Sequence, residues 1–217
     1  MKFLAPFLLL FASTFAYAQS ESNNTIFPYH HQLKFSLFPL HDPMNSGFEF
    51  SYERQYNQRW ATQLAFTILS NGLHEMFDTE KEYHGFKGQR ISIEQKYFYP
   101  TRRQRSIRKY FAADLNWLEA HTIRTTYSET TPVNPVDRMN IDRTTVSLNF
   151  KYGYEIAVAK RFVLDLSAGP GLKYRKISND KNYVGGWRSD SDVNKVYAPR
   201  EEMAANFVIS VKIGYMF

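Results

Sequence analysis

The chain has 217 residues, with 27 lysines and arginines against 21 aspartates and glutamates, a net charge of +6, and no cysteine. That length suits a single domain. The absence of thiols excludes disulfides, thiolate metal sites and a lipid-modified N-terminal cysteine, so whatever holds the fold together does so without cross-links.

The chain opens with Lys2, an apolar run through Phe11, and the small-residue stretch Ala16-Tyr17-Ala18 before Gln19. This is the layout of a secretory signal peptide. Ser13 and Thr14 interrupt the run, which also falls short of the roughly 20 apolar residues a spanning helix needs. Residues 1–18 are therefore expected to be a cleaved leader, and export argues against nucleic acid as a partner. Residues 19–31 read as a polar N-terminal extension. Its pair His30-His31 lacks the further ligands of a closed metal site, so no metal or cofactor is expected. Asn23-Asn24-Thr25 spells a glycosylation sequon, but that chemistry is not expected in this compartment.

From Gln32 onward apolar residues recur at every second position, the period of a sheet with one apolar face. Leu33, Phe35 and Leu37 alternate with Gln32, Lys34 and Ser36; Phe48, Phe50 and Tyr52 with Glu49, Ser51 and Glu53; Leu64, Phe66 and Ile68 with Gln63, Ala65 and Thr67. Ile91, Ile93, Tyr97 and Tyr99 alternate with Ser92, Glu94 and Lys96, with Gln95 as a blemish on the apolar side. The fifth segment sets Phe111, Ala113, Leu115 and Trp117 against Ala112, Asp114 and Asn116, then places Glu119 on the apolar side. That predicts either a bulge or a strand leaving a membrane. Val146 to Ile156 and Phe162 to Tyr174 repeat the pattern, and the last segment is the clearest: Phe207, Ile209, Val211, Ile213, Tyr215 and Phe217 share one face. Gly169-Pro170-Gly171 lies inside the seventh segment, where glycines mark a bend or a close backbone approach.

These segments make eight strands, and their connections alternate in length. Gln55–Arg59 and Ala157–Arg161 are short and Pro100–Lys109 is moderate; Asn71–Gln89, Arg124–Arg143 and Lys176–Glu202 are long and polar. Short periplasmic turns alternating with longer extracellular loops are the plan of outer-membrane barrels. The predicted fold is an all-β, eight-stranded antiparallel up-and-down transmembrane β-barrel over residues 32–217, in the outer membrane of a diderm bacterium. Three features favour apolar side chains outside: aromatic residues near strand ends, strands longer than the 9–11 residues or so needed to cross, and full charges in mid-strand. Those charges define an expected interior network of Lys34, Glu49, Glu53, Glu94, Lys96, Asp114, Lys151, Glu155, Asp165, Lys173, Arg175 and Lys212. Eight strands enclose a lumen about filled by side chains, which argues against a wide pore.

The chain resembles the OmpX/OmpA-type eight-stranded outer-membrane barrels. The resemblance covers Gln32–Phe217 as a pattern, and its one motif is the ending Phe207-Val208-Ile209-Ser210-Val211-Lys212-Ile213-Gly214-Tyr215-Met216-Phe217. In that family the barrel-assembly machinery reads the last strand, which implies the same machinery as a partner here. The abundance of Tyr, Phe and Lys is also similar to small barrels of unknown function in Bacteroidetes-type envelopes.

Lipid A deacylases and palmitoyltransferases also occupy barrels of this size. A deacylase would need a serine and a histidine adjacent on one outward face. Neither His121 with Ser128 nor His74 with Ser70 meets that spacing, so no catalytic set is expected. The most distinctive charge feature is the turn carrying Arg102, Arg103, Arg105, Arg108 and Lys109, which suits anionic phospholipid heads or acidic cell wall on the periplasmic side. In the outer loops Tyr183, Trp187 and Tyr197 are the expected recognition residues. The sequence thus predicts a monomeric, non-enzymatic barrel in contact with outer-membrane lipids and lipopolysaccharide, serving envelope integrity or surface interaction. A lipid A-modifying enzyme, a narrow channel and a soluble exported lipid-binding barrel are the alternatives.

Overall fold

The computed structural model describes residues 30–36, 47–70, 83–99, 106–127, 135–180 and 198–217. Every regular element among them is a strand: β1 (His31–Ser36), β2 (Gly47–Gln55), β3 (Trp60–Ser70), β4 (Tyr83–Tyr99), β5 (Ile107–Tyr127), β6 (Pro135–Ala157), β7 (Phe162–Asn179) and β8 (Arg200–Met216). Each strand pairs antiparallel with its sequence neighbours, and β8 returns to β1 to close the barrel. Closure runs through Gln32–Phe35 against Ile213–Met216, extended by a hydrogen bond from Phe217 N to His31 O of 3.0 Å. A closed ring leaves no sheet edge, so backbone donors and acceptors find partners inside the fold.

Local chemistry sets the tight ends. Between β2 and β3, Asn57 Oδ1 accepts hydrogen bonds from Arg59 N at 2.8 Å and Trp60 N at 2.9 Å, the side-chain turn for which asparagine is favoured. Between β6 and β7, Val158 N donates to Phe162 O at 3.0 Å. His31, Phe217 and the turns after β2 and β6 lie at one end; Ser36, Ser70, Tyr127 and Asn179 end their strands at the other. The short-turn end carries a belt of outward aromatics. Trp60 packs on Tyr97, Phe111 on Tyr152, Tyr152 on Tyr154, Phe162 on Tyr215, and His31 on both Tyr52 and Phe217. Such girdles sit at membrane interfaces.

The strands extend further than hydropathy alone indicates. Tyr83–Gln89, Arg124–Tyr127, Pro135–Arg143, Lys176–Asn179 and Arg200–Glu202, expected in loops, belong to strands, and β5 and β6 reach 21 and 23 residues. The physical reason is a reversal of phase. Lower on β6 the apolar residues Val146, Leu148 and Phe150 face out; above Arg143 it is Ile141 and Met139 that are buried inside, while Asp142 is exposed. On β5 the outward run ends at Trp117, and the inward positions Leu118 and Ala120 become the apolar ones, packed with Leu69 and Phe86. Above the bilayer the wall adopts the apolar-in arrangement of a water-soluble sheet, so the strand continues although its outward hydropathy stops. Polar pairs tie the raised wall together: His121 Nδ1 lies 2.8 Å from Asp142 Oδ1, and Asn140 Nδ2 donates to Asp180 Oδ2 at 2.6 Å.

Glu119 sits within this transition. The ladder passes through it without a register shift, opposite Gln89 on one side and Thr144 on the other. The bulge alternative is therefore excluded, and Glu119 marks the strand emerging. Gln95 is resolved differently: on the outer face its Oε1 accepts a hydrogen bond from Thr62 Oγ1 at 2.6 Å, so two polar side chains satisfy one another on the apolar wall.

Candidate functional site: the barrel interior

Alternation sends one residue in two into the lumen, and the sequence fills those positions with opposite charges. At the short-turn end an apolar floor comes first, built from Ala61, Phe98, Tyr110 and Ala112 with Val163 and Met216 beside it. Above it Glu53 of β2, Glu155 of β6 and Asp165 of β7 converge, with one carboxylate oxygen of each within 4.8 Å of the others. Three buried carboxylates repel strongly unless cations share the space. Two lysines supply them. Lys34 Nζ donates to Glu53 Oε2 at 2.7 Å, Glu155 Oε1 at 2.6 Å and Asp165 Oδ2 at 2.6 Å. Lys96 Nζ approaches the same three oxygens at 2.8, 3.1 and 2.6 Å.

An ammonium has three N–H donors; Lys34 spends all three on this triangle of oxygens, while Lys96 donates to Glu155 and Asp165 and pairs with Glu53. A metal ion would need that triangle; here both of its faces are occupied by the chain's own cations. Two of the three outer oxygens are engaged as well. Asp165 Oδ1 accepts from Tyr110 OH at 2.5 Å, and Glu155 Oε2 accepts from Arg108. Lys34, Lys96 and Arg108 thus balance Glu53, Glu155 and Asp165 charge for charge.

Two further clusters continue upward. Lys151 Nζ donates to Glu94 Oε2 at 2.5 Å and lies 3.1 Å from Asp114 Oδ2, while Asn116 and Asn149 donate to the same Asp114 oxygen at 2.9 and 3.2 Å. Glu49 bridges Lys212 at 2.7 Å and Arg90 at 3.2 Å. All these side chains are buried. Such a lumen can neutralise, rigidify and block. His121 and Asp142 do pair, but on the outer wall, and Ser178 lies opposite Asp142 rather than next to His121.

The outer wall is the reverse. Phe50 is 55 % exposed, Phe111 57 %, Phe150 60 % and Ile213 63 %, and they belong to a band running round the barrel. Soluble proteins do not present apolar surface on that scale to water, whereas hydrocarbon requires it. The chain is a transmembrane β-barrel.

No family model matches the sequence, and no curated protein matches it. Among solved structures, the chain is similar to the N-terminal β-barrel domain of Pseudomonas aeruginosa OprF at 11 % identity and a TM-score of 0.40, with 86 % of this chain and 96 % of that one covered. It is also similar to a major outer membrane protein from Thermus thermophilus (10 % identity, TM-score 0.46, 86 % and 97 % covered). A third is Ail, the attachment invasion locus protein of Yersinia pestis (16 % identity, TM-score 0.38, 86 % and 93 % covered).

The twelve charges expected inside do not all gather at the carboxylate triangle. Lys34, Glu49, Glu53, Glu94, Lys96, Asp114, Lys151, Glu155, Asp165 and Lys212 make up the clusters above. Lys173 and Arg175 lie further along β7, opposite Ala204 and Glu202. Lys173 is some 26 Å from Asp165 along the strand at about 3.3 Å per residue, too far to join the central cluster. Arg175 Nη1 lies instead 3.9 Å from Glu202 Oε1.

Arg108 requires a correction. The run of bases groups it with the periplasmic turn, but it lies in β5 with its guanidinium turned into the lumen, 4.3 Å from the Phe98 ring centre and donating to Gln55 Oε1 at 2.7 Å. Lys109, also in β5, faces out over the Tyr154 ring at 5.5 Å. Arg102, Arg103 and Arg105 fall outside the described residues, as do Tyr183, Trp187 and Tyr197. Arg90 and Tyr110 are interior residues absent from the expected network. Both occupy inward positions of their strands, so carrying the alternation one step beyond Ile91 and Phe111 identifies them. The last-strand residues Phe207, Ile209, Val211, Ile213, Tyr215 and Phe217 all face outward.

Proposed function

We propose that this chain is a non-enzymatic outer-membrane barrel of a diderm envelope that contributes to envelope integrity and presents its long-connection end for surface interaction. The observation that carries this reading is the Lys34–Lys96–Glu53–Glu155–Asp165 cluster, which fills the lumen with paired opposite charges. A barrel so filled resists deformation and has little room for a conducting path or a substrate. The outward band is suited to membrane lipid, with lipopolysaccharide as the expected outer-leaflet neighbour, and the outward face of β8 is suited to the assembly machinery.

The test is membrane fractionation of cells producing the full chain, followed by gel mobility with and without boiling. The expected result is recovery in the outer membrane, with the unboiled protein migrating as a compact species. Recovery in the soluble periplasm would end the membrane assignment and favour a soluble exported barrel.

A further inference from the structure

In the lower and middle lumen every buried base meets an acid: Lys34, Arg90, Lys96, Lys151 and Lys212 each lie within 2.5–3.2 Å of a carboxylate oxygen. The upper lumen breaks this rule. Arg143 of β6 points inward opposite Ala120 of β5 and Ile177 of β7. It is only 4 % exposed, and among the described residues its Nε and Nη2 find no hydrogen-bond partner. A buried guanidinium with unused donors is destabilising, and a ligand oxygen accepting from them would offset that cost.

The surroundings specify the sign of that partner. Arg175, opposite Thr145, is the diagonal neighbour of Arg143 across the β6–β7 pair, and Lys173 is the next inward residue below it. Arg124 is buried on β5 above Ala120. The inward acid of this region among the described residues is Glu202, which is already held by Arg200 at 3.1 Å and lies near Arg175 at 3.9 Å. A guanidinium with other cations beside it favours an anion as the group that completes it.

We propose that the barrel mouth at the long-connection end binds a phosphate group, with Arg143 as its principal ligand and Arg175 beside it. A guanidinium presents a planar fork that matches two oxygens of one phosphate. A phosphate monoester carries about −1.5 to −2 charges near neutral pH, which suits a site with several cations better than a singly charged carboxylate does. Such a group could be soluble or could be the head of a phosphorylated lipid. The site belongs to the surface-interaction role above, and rests on that reading only for which side of the membrane the mouth faces.

The experiment uses the full chain purified in detergent, its fold checked by heat-modifiable mobility. Calorimetric titration with inorganic phosphate forms one arm; titration with mixed micelles containing phosphatidic acid, against phosphatidylcholine micelles, forms the other. Saturable binding is expected in at least one arm, and which arm responds identifies the source. R143Q should weaken it at least tenfold and R143K by less, while R143Q unfolds at equal or higher urea concentration than the native chain without ligand. Phosphate should raise the urea midpoint of the native chain and not that of R143Q. Absence of saturable binding by the native chain in both arms, or equal affinity in R143Q, overturns the proposal. A barrel that binds phosphate but carries its long connections on the periplasmic side would keep the site and overturn the outward-facing role.

Discussion

Lys212 and Val211 are adjacent on β8 and live in opposite environments. Lys212 is buried against Glu49 at 2.7 Å, whereas Val211 is 40 % exposed on the outer wall. Replacing Lys212 with Leu removes the ammonium 2.7 Å from Glu49 Oε1, and breaking one side of a buried pair typically costs about 3 kcal/mol or more. Val211→Leu keeps an apolar residue facing hydrocarbon and should change stability by no more than about 0.5 kcal/mol. Urea midpoints of the two variants in lipid vesicles measure the difference; equal midpoints would mean that the faces are reversed. The facing of Lys212 was legible in the sequence because its neighbours alternate without a break. That of Arg108 was not, because a run of bases before it disguised the start of β5. Only the fold shows that Phe98 and Gln55 receive its guanidinium.

The same contrast holds for whole strands. Period-two hydropathy located all eight, because bilayer and lumen impose opposite polarity on alternate residues. It failed where that contrast reverses, so the upper parts of β4 to β8 read as polar loop. The reversal itself is a usable signal: the switch from Val146 and Leu148 outside to Ile141 and Met139 inside places the membrane boundary near Arg143. Within β7, Gly169-Pro170-Gly171 has a steric cause. A Cβ on Gly169 would lie 1.9 Å from Phe150 O and 2.8 Å from Lys151 Cα, both backbone atoms that cannot move aside without opening the β6–β7 pair. Gly169→Ala should therefore destabilise the barrel by about 1–3 kcal/mol, read as a lower urea midpoint. A midpoint equal to the native one would show that the two strands can separate locally without penalty. Gly153 serves a second close approach, since a Cβ there would meet Tyr110 Cζ at 2.4 Å and push that ring away from Asp165.

For the molecule as a whole, closure and filling are one property. Eight strands make a lumen narrow enough for side chains to span, and spanning is what lets Lys34 of β1 touch β2, β6 and β7 at once. The ammonium groups of Lys34 and Lys96 cap the two faces of one carboxylate triangle. An ion crossing the barrel would have to displace contacts of 2.6–3.1 Å that are shielded from solvent. Salt will not open them: at 1 M the screening length is still about 3 Å, and buried pairs are screened far less than exposed ones. The native barrel in a planar bilayer at about 1 M KCl should therefore show no steady open-state current. Glu53→Gln should not create one, because it leaves both ammonium groups in place and adds no space. A sustained conductance in the native protein would require a path past the triangle, and would replace the filled barrel with a narrow channel.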